Sequence, residues 1–478
     1  MALAKLRACT RTSRFAFTTA CAALVAACGG DEPPPTGATP TPTPTVATCS
    51  IQNRLATTFN VFNTNYLFPN LLDTSVNRSQ FNAIQPYIDA LVAPARAQDK
   101  DRYFSYVTSI AEENARIESG ATAGFGIRLV YDTSNARVFI AEAFENAPAF
   151  AAGFDRGTEL LAINGTTVAA LFASGGAQAV SDALGPSTPG TSRTLRFRPL
   201  GGAEITATVA KANYNLDPVS DRYGALVLDD GGKKVGYLNL RTFGSETVEP
   251  NIRDAFQKFR DQGVTEVIVD LRYNGGGLVS MGVLLTDLLA RSQAGSLMSR
   301  ISFRPSRASE NENINFSSQP QAINATKIAF ISTGGTASAS EFVPNNMIPV
   351  LGNGLALVGS NSFGKPVGQE AFDITACDDR LRVVSLKLEN RNGQGEYFTG
   401  LASVMPNTCR AGDDIFTPFG NPNEASIKAA LDFLGGRSCT PITTQAQGQS
   451  VMSADNRVFL QPQPGKRSGA QWEIPGLY

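Results

Sequence analysis

The chain has 478 residues, 42% hydrophobic and 8% aromatic, enough to bury a large core in two or three folded units. Its 41 basic and 42 acidic residues leave a net charge of −1 with no basic block to track a phosphate backbone, so no nucleic-acid partner is expected. Histidine is absent from the sequence, which rules out Ser-His-Asp triads and histidine-held catalytic zinc before any motif is read.

Residues 1–27 open with a positive segment, Lys5, Arg7, Arg11 and Arg14, followed by an apolar run from Phe15 to Ala27 too short for a permanent membrane span. The pattern predicts an export signal. It ends in Leu24-Val25-Ala26-Ala27-Cys28, which resembles a bacterial lipobox. That resemblance implies a lipid on Cys28 and, because Gly29 follows instead of Asp, an outer-membrane anchor facing the periplasm. An ordinary signal with a chance cysteine is the plainer alternative. Residues 28–48 are rich in Pro and Thr and read as an extended tether.

Four further cysteines follow, Cys49, Cys377, Cys409 and Cys439. An even number in an oxidising compartment predicts disulfides. The preferred pairing is Cys377 with Cys409 and Cys49 with Cys439, the second tying the ends of the folded region together. Metal binding is the weaker reading, because neither a CxxC spacing nor a histidine accompanies the thiols, and no metal or cofactor is expected.

Residues 49–117 carry helix-like periodicity in FNAIQPYIDALV and RYFSYVTSIAEENARI, with Ser79 and Asp101 as caps. Over residues 118–212 the pattern changes to short strands and glycine turns: GFGIRLVY, ARVFIAEAF, the small helical piece NAPAFAAGF, TELLAINGTTV and SRTLRFRPL. This order resembles a PDZ domain of the type inserted in bacterial proteases. The resemblance is carried by Gly124-Phe125-Gly126-Ile127, by Pro148 to Gly153 before Arg156-Gly157, and by Leu161-Ala162-Ile163-Asn164-Gly165. A GFGI loop ahead of a strand presents successive backbone N–H groups to a peptide carboxylate, while the strand edge can pair with an extended peptide. The alternative is a glycine turn in an ordinary small barrel.

Over residues 213–439 strands alternate with helices: KKVGYLNLRTF, VEPNIRDAFQKFRDQG, VTEVIVDLRYNGGG, MGVLLTDLLARS, TKIAFIS, then TASASEF and LALVGSNSFGK. The expected class is mixed α/β, with a mostly parallel sheet covered on both faces and active residues gathered at its strand ends. Residues 440–478 are polar without clear periodicity and are expected to pack loosely.

Three strand ends hold the chemistry. VIVDL ends in Arg272-Tyr273-Asn274-Gly275-Gly276-Gly277, KIAFIS ends near Ser338, and LALVG is followed by Phe363-Gly364-Lys365-Pro366-Val367-Gly368-Gln369. Without histidine, a lysine remains as base, provided burial lowers its pKa. These residues resemble the C-terminal processing proteases, serine peptidases of the S41 type with a Ser-Lys dyad and an embedded PDZ domain. The likeness runs from about residue 50 to 435. It implies Ser338 as nucleophile, Lys365 as general base, Gln369 as the side chain that positions the lysine, and an oxyanion hole of the Ala339 N–H with that of Gly275 or Gly276. Ser340 is read as structural and Glu341 as a first-turn acid favoured by the helix dipole. Pro344 and Pro349 depart from the family's unbroken helix and are expected to bend it. A penicillin-binding-protein motif fails because position 341 is glutamate, and Ser338 lacks the G-x-S-x-G elbow.

The expected function is a cell-envelope serine endopeptidase that takes unstructured protein C-termini through its PDZ domain. The alternative is an inactive, lipid-anchored peptide-binding scaffold. Expected partners are protein or peptide substrates and, through the lipid, a membrane; whether an adaptor protein activates the enzyme is left open.

Overall fold

In the computed structural model, which describes residues 49–443, 457–463 and 466–478, helices α1 (Ile51–Asn65) and α2 (Ile84–Leu91) come first. The expected signal, Cys28 and the tether lie outside the described residues. The apolar face of these helices, with Leu55, Phe62, Tyr66, Tyr87 and Ile88, packs on Val367, Leu381, Val383 and Val384 from far along the chain. Ser79 and Asp101 do not cap helices. Ser79 lies in a short 3₁₀ turn whose cap is Asn77, and buried Asp101 accepts from Tyr66 Oη at 3.0 Å and from the Phe104 and Ser105 amides. The helix expected in RYFSYVTSIAEENARI begins only at α3 (Ile110–Ser119), where Ser109 Oγ accepts the Glu112 amide at 3.1 Å. Tyr106–Ser109, within the run read as helical, is a strand.

A separate antiparallel sheet follows, built from β1 (Ile127–Asp132), β2 (Arg137–Ala143), β3 (Glu159–Ile163), β4 (Ser192–Arg198) and β5 (Ile205–Ala210) in spatial order β1-β2-β3-β4-β5. Helix α4 (Val168–Leu184), between β3 and β4, buries Val168, Val180 and Leu184 against Ile127, Leu129, Ile140 and Leu195.

From residue 225 the chain forms β6 (Ala225–Asp230), β7 (Lys233–Asn239), α5 (Val248–Asp261), β8 (Glu266–Asp270), α6 (Val279–Leu289), β9 (Lys327–Ser332), α7 (Ala339–Leu351), β10 (Leu355–Gly359), the paired strands β11 (Val367–Ile374) and β12 (Asp379–Asn390), then β13 (Thr408–Arg410) and α8 (Ala425–Leu434). The central sheet runs β6-β7-β8-β9-β10-β13, antiparallel at the first pair and parallel thereafter. Alternate residues face opposite sides. Val267, Val269, Ile328, Phe330, Leu355 and Leu357 pack with α5, α6 and α7, whereas Ile268, Ala329, Ile331, Ala356 and Val358 pack with α8. Burial on both faces is why these strands read as continuous apolar runs.

Both prolines sit inside α7, which nevertheless runs without interruption from Ala339 to Leu351. Pro349 cannot donate to the Asn345 carbonyl, and that oxygen instead accepts from Asn390 Nδ2 at 3.0 Å.

The disulfides are Cys49–Cys377 and Cys409–Cys439, with Cα separations of 5.5 and 5.3 Å, and not the expected Cys377–Cys409 and Cys49–Cys439. Packing explains the exchange. Cys49 leads into α1, which lies on the β11–β12 pair whose turn carries Cys377, and Cys439 follows α8, which packs beside β13 and its Cys409.

The end of the sequence is not loosely packed. Strand β14 (Arg457–Phe459) pairs with β1, helix α9 (Gly469–Glu473) follows, and Leu460 and Tyr478 are buried in the core of the small sheet. Such pairing uses backbone donors and a few apolar side chains, so it leaves no periodic pattern. Among the described residues no helix is long and apolar enough to cross a membrane.

Candidate active site

The loops after β8, β9 and β10 are sewn together by hydrogen bonds. The Leu271 amide donates to Ile331 O at 2.9 Å, Thr336 Oγ1 to Leu271 O at 2.8 Å, the Ala337 amide to Asn274 O at 3.1 Å, and the Phe363 amide to Thr336 O at 2.8 Å. Ser338 stands at the head of α7 with φ 57° and ψ −118°, a strained conformation for a residue with a side chain. It keeps 8% exposure, whereas Ser340 is fully enclosed and its hydroxyl has no hydrogen-bond partner among the described residues.

The glycine run lies against this turn. A Cβ on Gly276 would come within 2.7 Å of Ser338 Cβ and 3.0 Å of Ala339 N, at a φ of +107° that a side chain would in any case disfavour. The Gly276 amide is already committed to Asn274 Oδ1 at 3.0 Å. The amides of Gly275 and Ala339 meet no protein acceptor among the described residues, so these two donors remain open for a developing oxyanion.

Lys365 Nζ donates to Gln369 Oε1 at 3.2 Å and lies 5.1 Å from the centre of the Phe104 ring, while Gln369 Nε2 donates to Phe104 O. Burial is the main cause that lowers the lysine pKa to about 8; Glu473, Asp101 and Glu341 oppose the fall and Arg382 assists it. No hydrogen bond joins Lys365 Nζ to Ser338 Oγ among the described residues. The two loops are instead joined through Glu341. Its Oε2 accepts the amides of Ser338 at 3.0 Å and Lys365 at 2.7 Å, and its Oε1 accepts the Gly364 amide at 2.7 Å and Ser362 Oγ at 2.5 Å. Burial raises the Glu341 pKa in spite of these four donors. From the N-terminal region, Arg102 Nη2 donates to the carbonyls of Phe363, Gly364 and Phe398 at 2.6, 2.8 and 3.0 Å, clamping the lysine loop.

Glu341, Arg102 and Asn274 are thus site residues beyond those expected from the sequence. The S-x-x-E spacing of a capping box was the one available signal for Glu341; nothing local distinguishes Arg102. The small sheet also reaches the site. Arg128 Nη1 donates to Tyr273 O at 3.1 Å, and Arg156 Nη1 to Tyr273 Oη at 3.0 Å, next to the glycine run. The expected peptide-binding residues Gly124, Phe125, Gly126 and Ile127 line the start of β1, and the amides of Gly126 and Ile127 donate to Tyr478 O at 2.9 and 3.3 Å.

The core is mixed α/β, and Ser338 lies in the loop that follows the parallel strand β9. Comparison with known proteins is more particular. Residues 234–403 match the model of peptidase family S41. It is 25% identical over 323 residues to the carboxyl-terminal-processing protease of Synechocystis, covering 66% of this chain and 70% of that one. It is 26% identical over 274 residues to the chloroplastic C-terminal processing peptidase of Tetradesmus obliquus, spanning 54% of each. A crystal structure of an S41 protease from Bacteroides fragilis matches with a TM-score of 0.61 at 22% identity, covering 79% of this chain and 96% of that one, and so shares the fold.

Proposed function

We propose that this peptidase cleaves unstructured polypeptide through an acyl-enzyme on Ser338, with Lys365 as general base. The observation that carries the reading is the Glu341 carboxylate, which accepts from the Ser338 and Lys365 amides together and so holds nucleophile loop and base loop as one body. Neutral Lys365 takes the Ser338 Oγ proton as Oγ attacks the scissile carbonyl. The resulting oxyanion accepts from the Ala339 and Gly275 amides, donors of a kind worth roughly 3 kcal/mol each in acyl transfer. Collapse expels the amine, which takes the proton from Lys365, and water then hydrolyses the ester by the same base. Gln369 Oε1 orients the lysine.

The 118–212 unit is read as PDZ-like. Its sheet edge at β1 and the N–H groups of the GFGI loop support capture of an extended chain end, as in β-strand addition. Protein lacking residues 1–48 is expected to degrade a disordered polypeptide with an apolar end and to be labelled by a fluorophosphonate, and Ser338→Ala to lose both. Peptide binding without Ser338-dependent hydrolysis or labelling would establish the scaffold instead.

The run Leu24 to Cys28 supports lipid anchoring in the cell envelope. Cys28→Ala is expected to move the full-length protein from the membrane to the soluble fraction of a Gram-negative host; unchanged fractionation, with no palmitate incorporated into wild type, refutes the anchor.

A further inference from the structure

The peptide-binding edge of β1 is occupied by this chain's own last segment. Strand β14 pairs antiparallel with it, Arg457 opposite Asp132 and Phe459 opposite Val130, and the Leu460 amide donates to Leu129 O at 3.0 Å. The chain then returns to the same edge. The Leu129 amide donates to Gly476 O at 2.8 Å, the Tyr478 amide to Ile127 O at 2.9 Å, and the Gly126 and Ile127 amides to Tyr478 O. Arg128 Nη1 holds Pro475 O at 2.7 Å. The Tyr478 ring is buried between β1 and α4, and its hydroxyl donates to Ser181 Oγ at 2.7 Å. This is the geometry of an extended ligand in a strand-addition groove, with one side chain in a pocket.

The same segment also covers the strand ends. A Cβ on Gly275 would lie 2.0 Å from Glu473 O, so the segment's backbone rests on the glycine next to Gly276, which itself lies against Ser338. Pro475 and Phe459 press on Gly335, in the loop before Ser338, and the Phe459 ring stands edge-on to Tyr273 at 5.6 Å. The segment is fastened at this end by Trp472 stacked on Tyr106 at 5.2 Å and by Glu473 paired with Arg116 at 2.6 Å. A polypeptide entering both groove and cleft meets this segment along its whole path.

We propose that residues 466–478 are a resident ligand of the groove between β1 and α4, that the groove selects tyrosine at the position of Tyr478 through Ser181, and that substrates enter by displacing this segment. The proposal rests on reading 118–212 as a peptide-capturing unit and Ser338 as the nucleophile. A tethered ligand acts at an effective concentration on the order of millimolar, so a free peptide of moderate affinity binds roughly tenfold more weakly while the segment is in place.

The probe is a fluorescent peptide of sequence QWEIPGLY, titrated into Ser338→Ala protein spanning residues 49–478. Removal of residues 457–478 is expected to tighten binding roughly tenfold. Tyr478→Ala in the full chain guards against misfolding of the truncated form and is expected to tighten binding severalfold. Ending the peptide in Phe should weaken it severalfold against the truncated protein, and Ser181→Ala should abolish that difference. Equal binding to the intact, truncated and Tyr478→Ala forms overturns the proposal, as does no binding to any of them. Because the titration is made on Ser338→Ala, it does not depend on catalysis. Tightened binding with a wild type that hydrolyses nothing refutes only the peptidase reading, whereas equal binding with Ser338-dependent hydrolysis refutes only the resident ligand.

Discussion

Lys365→Met is expected to lower kcat roughly 10³-fold, the range of a lost general base, while making the folded protein more stable at neutral pH. Both effects come from burial. The folded lysine pKa falls to about 8 from the usual 10.5, so between these values the unfolded chain holds a proton that the folded chain has released. Stability therefore rises with pH across that window. Below pH 8 the wild type carries the full penalty of a buried ammonium, on the order of 3 kcal/mol, which methionine of similar length removes. Activity has the same direction for a different reason: in the proposed mechanism the neutral amine is the base, so kcat should climb through about pH 8 to an alkaline plateau. Single-turnover rates over pH 6–10 and urea midpoints at pH 7 and 10 measure both. A flat profile, or a Met variant that keeps a tenth of wild-type kcat, refutes Lys365 as the base.

What the sequence revealed and what it concealed differ in kind. VIVDL, KIAFIS and LALVG were legible because strands buried on both faces need no polar residue, and the chemistry-bearing residues follow each of them directly. Ser338, Lys365, Gln369 and the glycine run could be found as local signals at strand ends. Relations between distant segments were not legible. Cys49 meets Cys377 because α1 packs on the β11–β12 pair, which spacing along the chain does not encode. The last segment binds as an added strand through its backbone, and its outward signs were only the short apolar run Val458-Phe459-Leu460 and the scattered Trp472, Ile474, Leu477 and Tyr478. Glu341 was read as a helix-dipole acid because its place in the first turn is visible locally, whereas its bonds to Ser362, Gly364 and Lys365 depend on where the next loop folds.

Glu341→Ala is expected to remove both activity and a large part of the stability of the site. The carboxylate is completely enclosed and takes four donors, three backbone amides and the Ser362 hydroxyl. Alanine leaves these donors buried without an acceptor, and at 1–3 kcal/mol for an unsatisfied group the total loss should reach about 4 kcal/mol even after partial relaxation. The kinetic cost follows from position. Glu341 holds the Ser338 amide and the Lys365 amide on one oxygen, so without it the two loops separate, and a displacement of about 1 Å between reacting groups costs roughly 10²-fold in rate. Glu341→Gln separates the two roles. Its amide has the same shape but offers one carbonyl oxygen to four donors and turns an N–H₂ toward the others, so kcat should fall with a smaller loss of stability. The measurements are urea midpoints for all three proteins and kcat at a temperature where each is fully folded. If Glu341→Ala keeps kcat within threefold of wild type when folded, the carboxylate stabilises the core without positioning Ser338 against Lys365.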